Sequence, residues 1–456
     1  MQTDPIIIIG GGLAGAEAAW QVARRGLKAQ LYEMRPERMT PAHKTGFLAE
    51  IVCSNSFKSD REFTAPWLLK QELILLKSLL IRLAYENRVP SGASLSVDRE
   101  TFAAAVTKAV ENCVGIEICR GEITAIPLER ICVIATGPLT SDRLSQSIRS
   151  FAGEECLYFY DAISPVVEAE TIDMSKVFRA SRYDKAGADY LNCSMTKEEY
   201  LAFYEALIHA ESVPLHECEK AMYFEGCLPI EEMARRGVDT LRFGPMKPVG
   251  LTDPHSGKMP YAAVQLRQEN LKADSYNLVG FQNHLRFGEQ EWVFRLIPGL
   301  ERALFLRLGQ IHRNTYINSP RLLMPTLQTR KNPRLFFAGQ ISGVEGYVEC
   351  IATGLIAGIN AGRLALGLEP LTPPRPTAIG SLLSYLASAT PDNFQPENIN
   401  FGIMPQLESD RIQSRKLAKM DRHRIQVKHA LEEMAAFTAA VNSEELLEQA
   451  FSADDH

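Results

Sequence analysis

The stretch IIIIGGGLAGAEAAW, residues 6–20, limits the fold of this chain more than any other segment. Four consecutive β-branched residues suit a parallel strand buried on both faces, which has no solvent side to mark with polar residues. The glycines follow at once as Gly10-x-Gly12-x-x-Gly15, and the Ala-rich segment 14–26, closed by Gly26, reads as a helix. AQLYE (29–33) supplies a second strand and completes a βαβ unit. In such a unit Gly10 permits the tight turn, Gly12 lets the backbone approach a pyrophosphate, and Gly15 lets helix and strand pack closely. Gly11, Leu13 and Ala14 complete the turn, where free N–H groups and the helix dipole favour an anion. Glu33 stands 18 residues after Gly15, at the end of the second strand, and is expected to accept hydrogen bonds from a ribose. GxGxxG alone is common by chance. The strand before it, the helix after it and the acid at this distance make a dinucleotide site.

A single dinucleotide domain is complete within roughly 150 residues, and this chain has 456. VDRETFAAAVTKAVE (97–111) reads as a helix and ICVIATG (131–137) as another buried strand. From about 160 to 330 the βα alternation stops, and Pro and Gly punctuate a mixture of strands and helices. The parallel pattern returns with LFFAG (335–339) and the small-residue helix CIATGLIAGINAGRLAL (350–366). The expected architecture is α/β: a two-dinucleotide-binding, Rossmann-like FAD fold with a mixed α+β insertion. Its parts are a first FAD-binding segment at 1–160, a substrate-facing insertion at 161–330, and a C-terminal FAD-binding segment at 331–456. FAD is favoured over NAD as the bound cofactor by the second glycine-rich turn, AGQISGVEGYVECIATG (338–354). Gly339, Gln340 and Gly346 there are expected to return to the flavin end, with a helix N-terminus able to stabilise an anionic reduced ring. NAD(P)H remains the visiting reductant.

Composition narrows the rest. A net charge of −6 points to no polyanion by itself, although local patches can still bind one. Nine scattered cysteines show no CxxC and no Cys/His metal spacing, so no metal site is expected. With no basic n-region at the start, the chain reads as a reduced, cytoplasmic protein. The stretch nearest to a membrane span is 68–85, but Lys70, Glu72, Lys77 and Arg82 interrupt it, which favours an amphipathic or core helix.

Two thiols stand out. Cys227 in FEGCLPIEEMARRG precedes Pro229, a good first-turn residue, and would sit at a helix N-terminus, where the dipole lowers a thiol pKa. Cys53 lies in the polar, turn-like EIVCSNSFKSD. Cys132 and Cys350 fall in apolar strand and helix contexts and read as core. Taken alone, any cysteine is more often a small buried hydrophobe than a nucleophile. His284 in VGFQNHLRFGEQE and Tyr347 in SGVEGYVEC are possible stacking partners for a flat ring, or simply packed aromatics. Arg235, Arg236 and the segment 411–430, with seven Lys/Arg against one Asp, are candidates for phosphate contacts or for a solvated helix face.

Together IIGGGLAGAEAAW, CSNSFKSD, FEGCLPIEEMARRG, LRFGPMKPVGL, VGFQNHLRFGEQ and FFAGQISGVEGYVECIATGLIAGINA resemble the folate- and FAD-dependent tRNA (uracil-5-)-methyltransferases, the TrmFO family, over nearly the whole length. The resemblance implies methylation of the uridine at position 54 in the T loop of tRNA. Carbon would come from 5,10-methylenetetrahydrofolate and electrons from NAD(P)H through FAD. It makes Cys227 the nucleophile on uracil C6 and Cys53 a second functional thiol, with the division of labour open to reversal. His284 or Tyr347 would stack on the pterin. The related GidA/MnmG flavoproteins share the second glycine turn but are expected to need a long further C-terminal domain. A small-metabolite oxidoreductase would leave both cysteines dispensable, and a non-catalytic RNA-binding flavoprotein would bind tRNA without turnover.

Overall fold

The computed structural model describes residues 4–153, 157–184, 188–214, 228–406 and 418–454. Strand β1 (Ile6–Ile9) is buried along its length and lies in the middle of a parallel sheet. On one side it pairs with β2 (Ala29–Glu33), which pairs with β3 (Ile116–Arg120). On the other side stand β4 (Cys132–Ile134) and then β5 (Leu335–Phe337). The order β5-β4-β1-β2-β3 reverses direction at β1, so a crevice opens at the carboxyl ends of β1 and β4, where such sheets bind ligands.

Helix α1 (Leu13–Ala23) follows β1, and α2 (Tyr347–Ala365) follows β5. These two helices touch backbone to backbone. A Cβ on Gly354 would stand 2.2 Å from the Ala14 carbonyl oxygen, and one on Gly358 would stand 2.5 Å from that of Ala18. Small residues one helical turn apart are what lets two helices approach so closely. By length and composition α2 passes as a membrane span, yet 83% of its apolar window is buried inside the protein. Among the described residues it is this helix, and not residues 68–85, that comes nearest to a spanning segment.

Residues 68–85 form parts of two helices, Ala65–Leu75 and Leu79–Glu86, separated at Lys77 by a positive φ of 59°. The break is capped from outside the segment. Buried Glu17 of α1 accepts from Ser78 Oγ (2.8 Å) and from the Leu80 N–H (3.0 Å), taking up orphan donors of the second helix. Glu72 does the same for the helix Ala378–Ser388, accepting from the N–H groups of Ala378 (2.7 Å) and Ile379 (2.9 Å).

Burial pushes the Glu72 carboxyl from the usual 4.5 up to about 8, against these two hydrogen bonds. A carboxyl raised on folding stabilises the folded state fully below its unfolded value and loses that contribution as pH rises through the folded value. Glu72→Gln is therefore expected to flatten the decline of the melting temperature between about pH 5 and pH 8. A wild-type-minus-variant difference that does not change with pH would overturn this.

The second lobe is a six-stranded antiparallel sheet. Its strands run in the order Val177–Arg179, Tyr190–Met195, Ala262–Gln268, Ser275–Leu278, Val166–Glu168, Phe305–Arg307. Helices Lys197–His209, Ile230–Arg235 and Phe287–Phe294 cover it around a core that includes Tyr200, Phe203, Phe281 and Phe294. Among the described residues that core draws on 167–305, whereas the first core joins residues 6–157 to residues 316–441. An antiparallel ribbon of Leu157–Ala162 and Ile311–Tyr316 lies where the chain passes between the lobes.

Candidate active site

At the switch point the glycines act at different positions in different ways. Gly10 has φ +103°, and a Cβ there would meet the Ala135 carbonyl oxygen at 2.5 Å. A Cβ on Gly15 would meet the Gly10 carbonyl oxygen at 1.8 Å, so only glycine lets α1 sit against the end of β1. Gly12 is the N-cap of α1 with an ordinary φ of −74°, and a Cβ there would meet nothing within 4 Å. It faces an open cleft lined also by Leu13, Ala14 and Thr136. No acid stands in the first turn of α1, which leaves the dipole free to favour an anion.

Glu33 lies on the cleft as its spacing predicts, but its carboxylate is already engaged. Oε2 accepts from the Gly11 N–H (2.9 Å), while Oε1 accepts from the Arg35 N–H (2.9 Å) and Nε (3.0 Å). Burial pushes this carboxyl up, and the Arg35 charge with these hydrogen bonds outweighs it, leaving a net lowering. Glu33 is thus an ionised anchor of the turn, and any ribose hydroxyl must share a filled acceptor. Arg35, 2% exposed and also 3.0 Å from Glu50, has no signal in its local sequence beyond following the acid by two residues.

The second glycine turn reaches the same cleft. Gly339 (φ +77°) donates its N–H to Thr353 Oγ1 at 2.8 Å, and a Cβ on it would stand 2.9 Å from the Ala14 Cβ. Gln340 lines the cleft and donates to Glu345. Gly346 (φ +116°) makes room for Lys58, whose Nζ donates to Glu349 Oε1 at 2.7 Å. The N-terminus of α2 therefore points into the cleft with Tyr347 as its first residue.

Cys53 sits in an extension of this cleft, together with Tyr347, Gln340, Glu345 and Asn314. The backbone N–H groups of Cys53 (3.0 Å) and Ser54 (3.1 Å) both donate to the Tyr347 hydroxyl. CSNSFKSD and the second glycine turn, nearly 300 residues apart in sequence, are thus one site. Cys132 and Cys350 are buried, and burial pushes both thiols up, as befits core residues. Cys227 lies outside the described residues, as does 411–417 of the basic segment. The helix Ile230–Arg235 that follows Cys227 is present, with Pro229 as its N-cap.

His284 is not among the described residues that line this cleft or its extension. It is 5% exposed, with Nδ1 2.6 Å from Glu231 Oε1 in the second lobe, and its own N–H donates to the same oxygen. Arg235 and Arg236 are exposed at the end of the Ile230–Arg235 helix, and Arg235 pairs with Glu232 one turn earlier.

A parallel sheet with a glycine turn at its switch point, met by a second helix N-terminus from the far end of the chain, defines a dinucleotide-binding flavoprotein. Residues 5–369 match the family described as glucose inhibited division protein A. A relative from Koribacter versatilis, the methylenetetrahydrofolate–tRNA-(uracil-5-)-methyltransferase TrmFO, is 61% identical over 95% of this chain and 98% of its own. Its counterpart of the same name from Pelotomaculum thermopropionicum is 57% identical over the same shares. Among solved structures, Aquifex aeolicus GidA superposes with a TM-score of 0.70 at 18% identity, covering 98% of this chain and 75% of that one, which shows the shared fold. The chain belongs to the glucose inhibited division protein A family and to its TrmFO proteins.

The family implies FAD, and the residues present fit it. Gly12 leaves open space at the helix N-terminus where a pyrophosphate would lie, and Gly339 and the α2 N-terminus border the same cleft.

Proposed function

We propose that this protein methylates C5 of the uridine at position 54 in the T loop of tRNA, with methylenetetrahydrofolate as carbon donor and NAD(P)H as reductant. At the coarser level it is a folate-dependent tRNA (uracil-5-)-methyltransferase that uses FAD. The observation that carries this is identity of 52–61% to several TrmFO proteins over nearly the full length of both partners. Bound flavin supplies the electrons that bring a one-carbon unit to the oxidation level of a methyl group.

The protein's own task is to make uracil react. C5 of uracil is a weak nucleophile. A thiolate adding to C6 pushes the electron pair onto C5 and the C4 carbonyl, and the enolate-like carbon then attacks the one-carbon electrophile. A base removes the C5 proton as the carrier amine leaves the one-carbon unit, a hydride adds to the resulting exocyclic methylene to make the methyl group, and the C6–S bond breaks to restore the ring and release the thiolate. We assign the adduct to Cys227 and give Cys53 the assisting proton-transfer role. The seat of Cys53 beside Tyr347 in the cleft supports its part in the chemistry. Tyr347, at the N-terminus of α2 and on the cleft, is our stacking candidate, with His284 as the alternative. The target base must be turned out of the loop to reach the cleft, and exposed Arg235 and Arg236 are our candidates for the phosphate contacts.

The test is a methylation assay with unmodified tRNA, NADPH and either labelled methylenetetrahydrofolate or labelled S-adenosylmethionine. Labelled 5-methyluridine in the T loop from the folate tube alone is expected. Label from S-adenosylmethionine, or none from a folded, flavin-loaded protein, would overturn the assignment.

A further inference from the structure

Between the two lobes, against the Ile51–Val52 segment, lies an open cavity of about 1070 Å³. The first lobe walls it with residues drawn from 41–52 and with the start of the helix Arg99–Glu111. The second lobe walls it with the edge strand Phe305–Arg307 and with residues drawn from 269–275. Val52 borders this cavity, the flavin cleft and the Cys53 pocket alike. Ala42 and Ile163 border both the cavity and the Cys53 pocket. The cavity therefore begins where the Cys53 pocket ends. Small-molecule sites favour domain interfaces and hold about 300–1,000 Å³, and this cavity stands at the upper end of that range.

Its junction with the Cys53 pocket is apolar, and Phe305 and Leu306 add apolar surface from the second lobe. The charges on the wall are unevenly engaged. Of the five carboxylates there, four already accept from the protein. Glu50 accepts from Arg35 and Thr45, Asp98 from the N–H groups of Thr101 and Leu271, Glu269 from Arg99 and Asn277, and Asp274 from Asn270 and Ser275. Glu100 alone has no partner among the described residues. Of the four cations, Arg99 is engaged by Glu269 and by the Ile51 and Val52 carbonyls. Lys44, Lys272 and Arg307 form no salt bridge among the described residues. Arg307 is tethered by carbonyls, to Val52 through Nη1 at 3.1 Å and to Ser164 through Nη2 at 3.5 Å, and its buried Nε has no hydrogen-bond partner. Each of its Nη groups has two N–H donors and uses one, so donors remain for an incoming carboxylate. Three cations without a counter-charge thus face one free acid across an apolar wall, which suits an aromatic ligand that carries carboxylates.

We infer that this cavity takes the p-aminobenzoyl-glutamate tail of the folate donor, with Arg307 as the carboxylate anchor and Lys272 and Lys44 receiving the carboxylates of any further glutamates. The inference rests on folate as the carbon donor, and on neither the identity of the uridine nor the division of labour between the thiols. The donor has to present its one-carbon unit where Gln340, Tyr347 and Cys53 meet. The aryl ring and the amide-linked glutamate beyond it take no part in the transfer and need a place outside that pocket. The cavity offers one that starts at the pocket itself, with Val52 and Ile163 for the ring and cations for the acid groups. Binding energy from such a remote, unreacting part of a substrate is available to hold the reacting part in position. The recessed seat of Arg307, tied to two backbone carbonyls, suits the end of a small ligand. A nucleic-acid backbone is instead tracked by cations set along an open groove.

The experiment is anaerobic titration calorimetry of the full-length, flavin-loaded protein with two probes, tetrahydrofolate triglutamate and 6-methyltetrahydropterin, which lacks the tail. The wild type is expected to bind the triglutamate at least about tenfold more tightly than the pterin. Arg307→Gln is expected to weaken the triglutamate about tenfold, and Lys272→Glu and Lys44→Glu about threefold each, with the pterin unchanged. Affinity for tRNA and the rate of flavin reduction by NADPH are expected to stay at wild-type values in the lysine variants. Equal affinity of the wild type for the two probes, or variants that weaken both probes alike, would overturn the inference. Variants that lose tRNA binding while holding the triglutamate as before would give the cavity to the nucleic acid and overturn it too. If Arg307→Gln does not fold, the two lysine variants and their double carry the test, because both side chains are exposed. The donor and its tail are read separately. Pterin binding with no gain from the tail leaves the folate donor standing and overturns the cavity assignment alone, whereas a wild type that binds neither probe overturns both.

Discussion

Gly12→Val is expected to give a folded protein that has lost its flavin, whereas Gly15→Val is expected not to fold at all. The two glycines are three residues apart in one motif, yet their surroundings are opposite. At Gly12 the backbone is extended with φ −74°, which valine adopts without strain, and the added side chain enters open cleft. It occupies the volume that a pyrophosphate needs at the α1 N-terminus. The variant should show a melting transition like that of the flavin-free wild type and no visible flavin absorbance. At Gly15 a Cβ would stand 1.8 Å from the backbone oxygen of Gly10, a contact no side-chain rotation relieves. Overpacking ordinarily costs about 1–3 kcal/mol and sometimes more. Here α1 must separate from β1, and native stability of about 5–15 kcal/mol leaves little reserve. A yellow, fully loaded Gly12→Val protein would sink the fingerprint assignment.

Removal of the Cys227 thiol is expected to abolish methylation while the flavin spectrum stays intact. Loss of a covalent nucleophile removes the adduct itself, and the rate should fall by several orders of magnitude. Cys53→Ala should be milder if its part is proton transfer, a reduction of about 10²–10⁴ in turnover. The pair of variants therefore ranks the two roles. A larger loss at Cys53 than at Cys227 would reverse the assignment, and full activity in either variant would free that thiol from the reaction. Trapping supplies an independent readout. With 5-fluorouracil-containing tRNA the adducting cysteine should form a stable crosslink, because fluorine cannot leave C5 as a proton does.

The parts of the site legible in the sequence are those built from one short segment. The β1 run, the glycine turn and α1 are fixed by local periodicity and by backbone needs that only glycine meets. The Cys53 segment reads as a polar loop, but only its first part is one: Ser56–Ser59 is a strand paired with Ser94–Val97, and Asn55 and Phe57 are fully buried. What the sequence hides is made at long range. Arg35 fills the acceptors of Glu33 by folding back two residues on, which no spacing rule for a ribose ligand anticipates. His284 reads in the sequence as a stacking partner or a packed aromatic, and the chain after the strand Ser275–Leu278 brings it against Glu231 of the Ile230–Arg235 helix. The break at Lys77 depends on Glu17, some sixty residues earlier.

The close seating of α2 on α1 also bears on how the chain is made. Ala14 and Ala18 emerge from the ribosome early, and the glycines that cover them, Gly354 and Gly358, come 340 residues later. At a synthesis rate of about 5–20 residues per second, that delay is roughly twenty seconds to a minute. The antiparallel lobe, whose core among the described residues draws on 167–305, has all its parts in hand well before then. Translation thus presents a finished middle flanked by an open half-sheet, whose apolar face must wait for, or be guarded until, the C-terminal helix arrives.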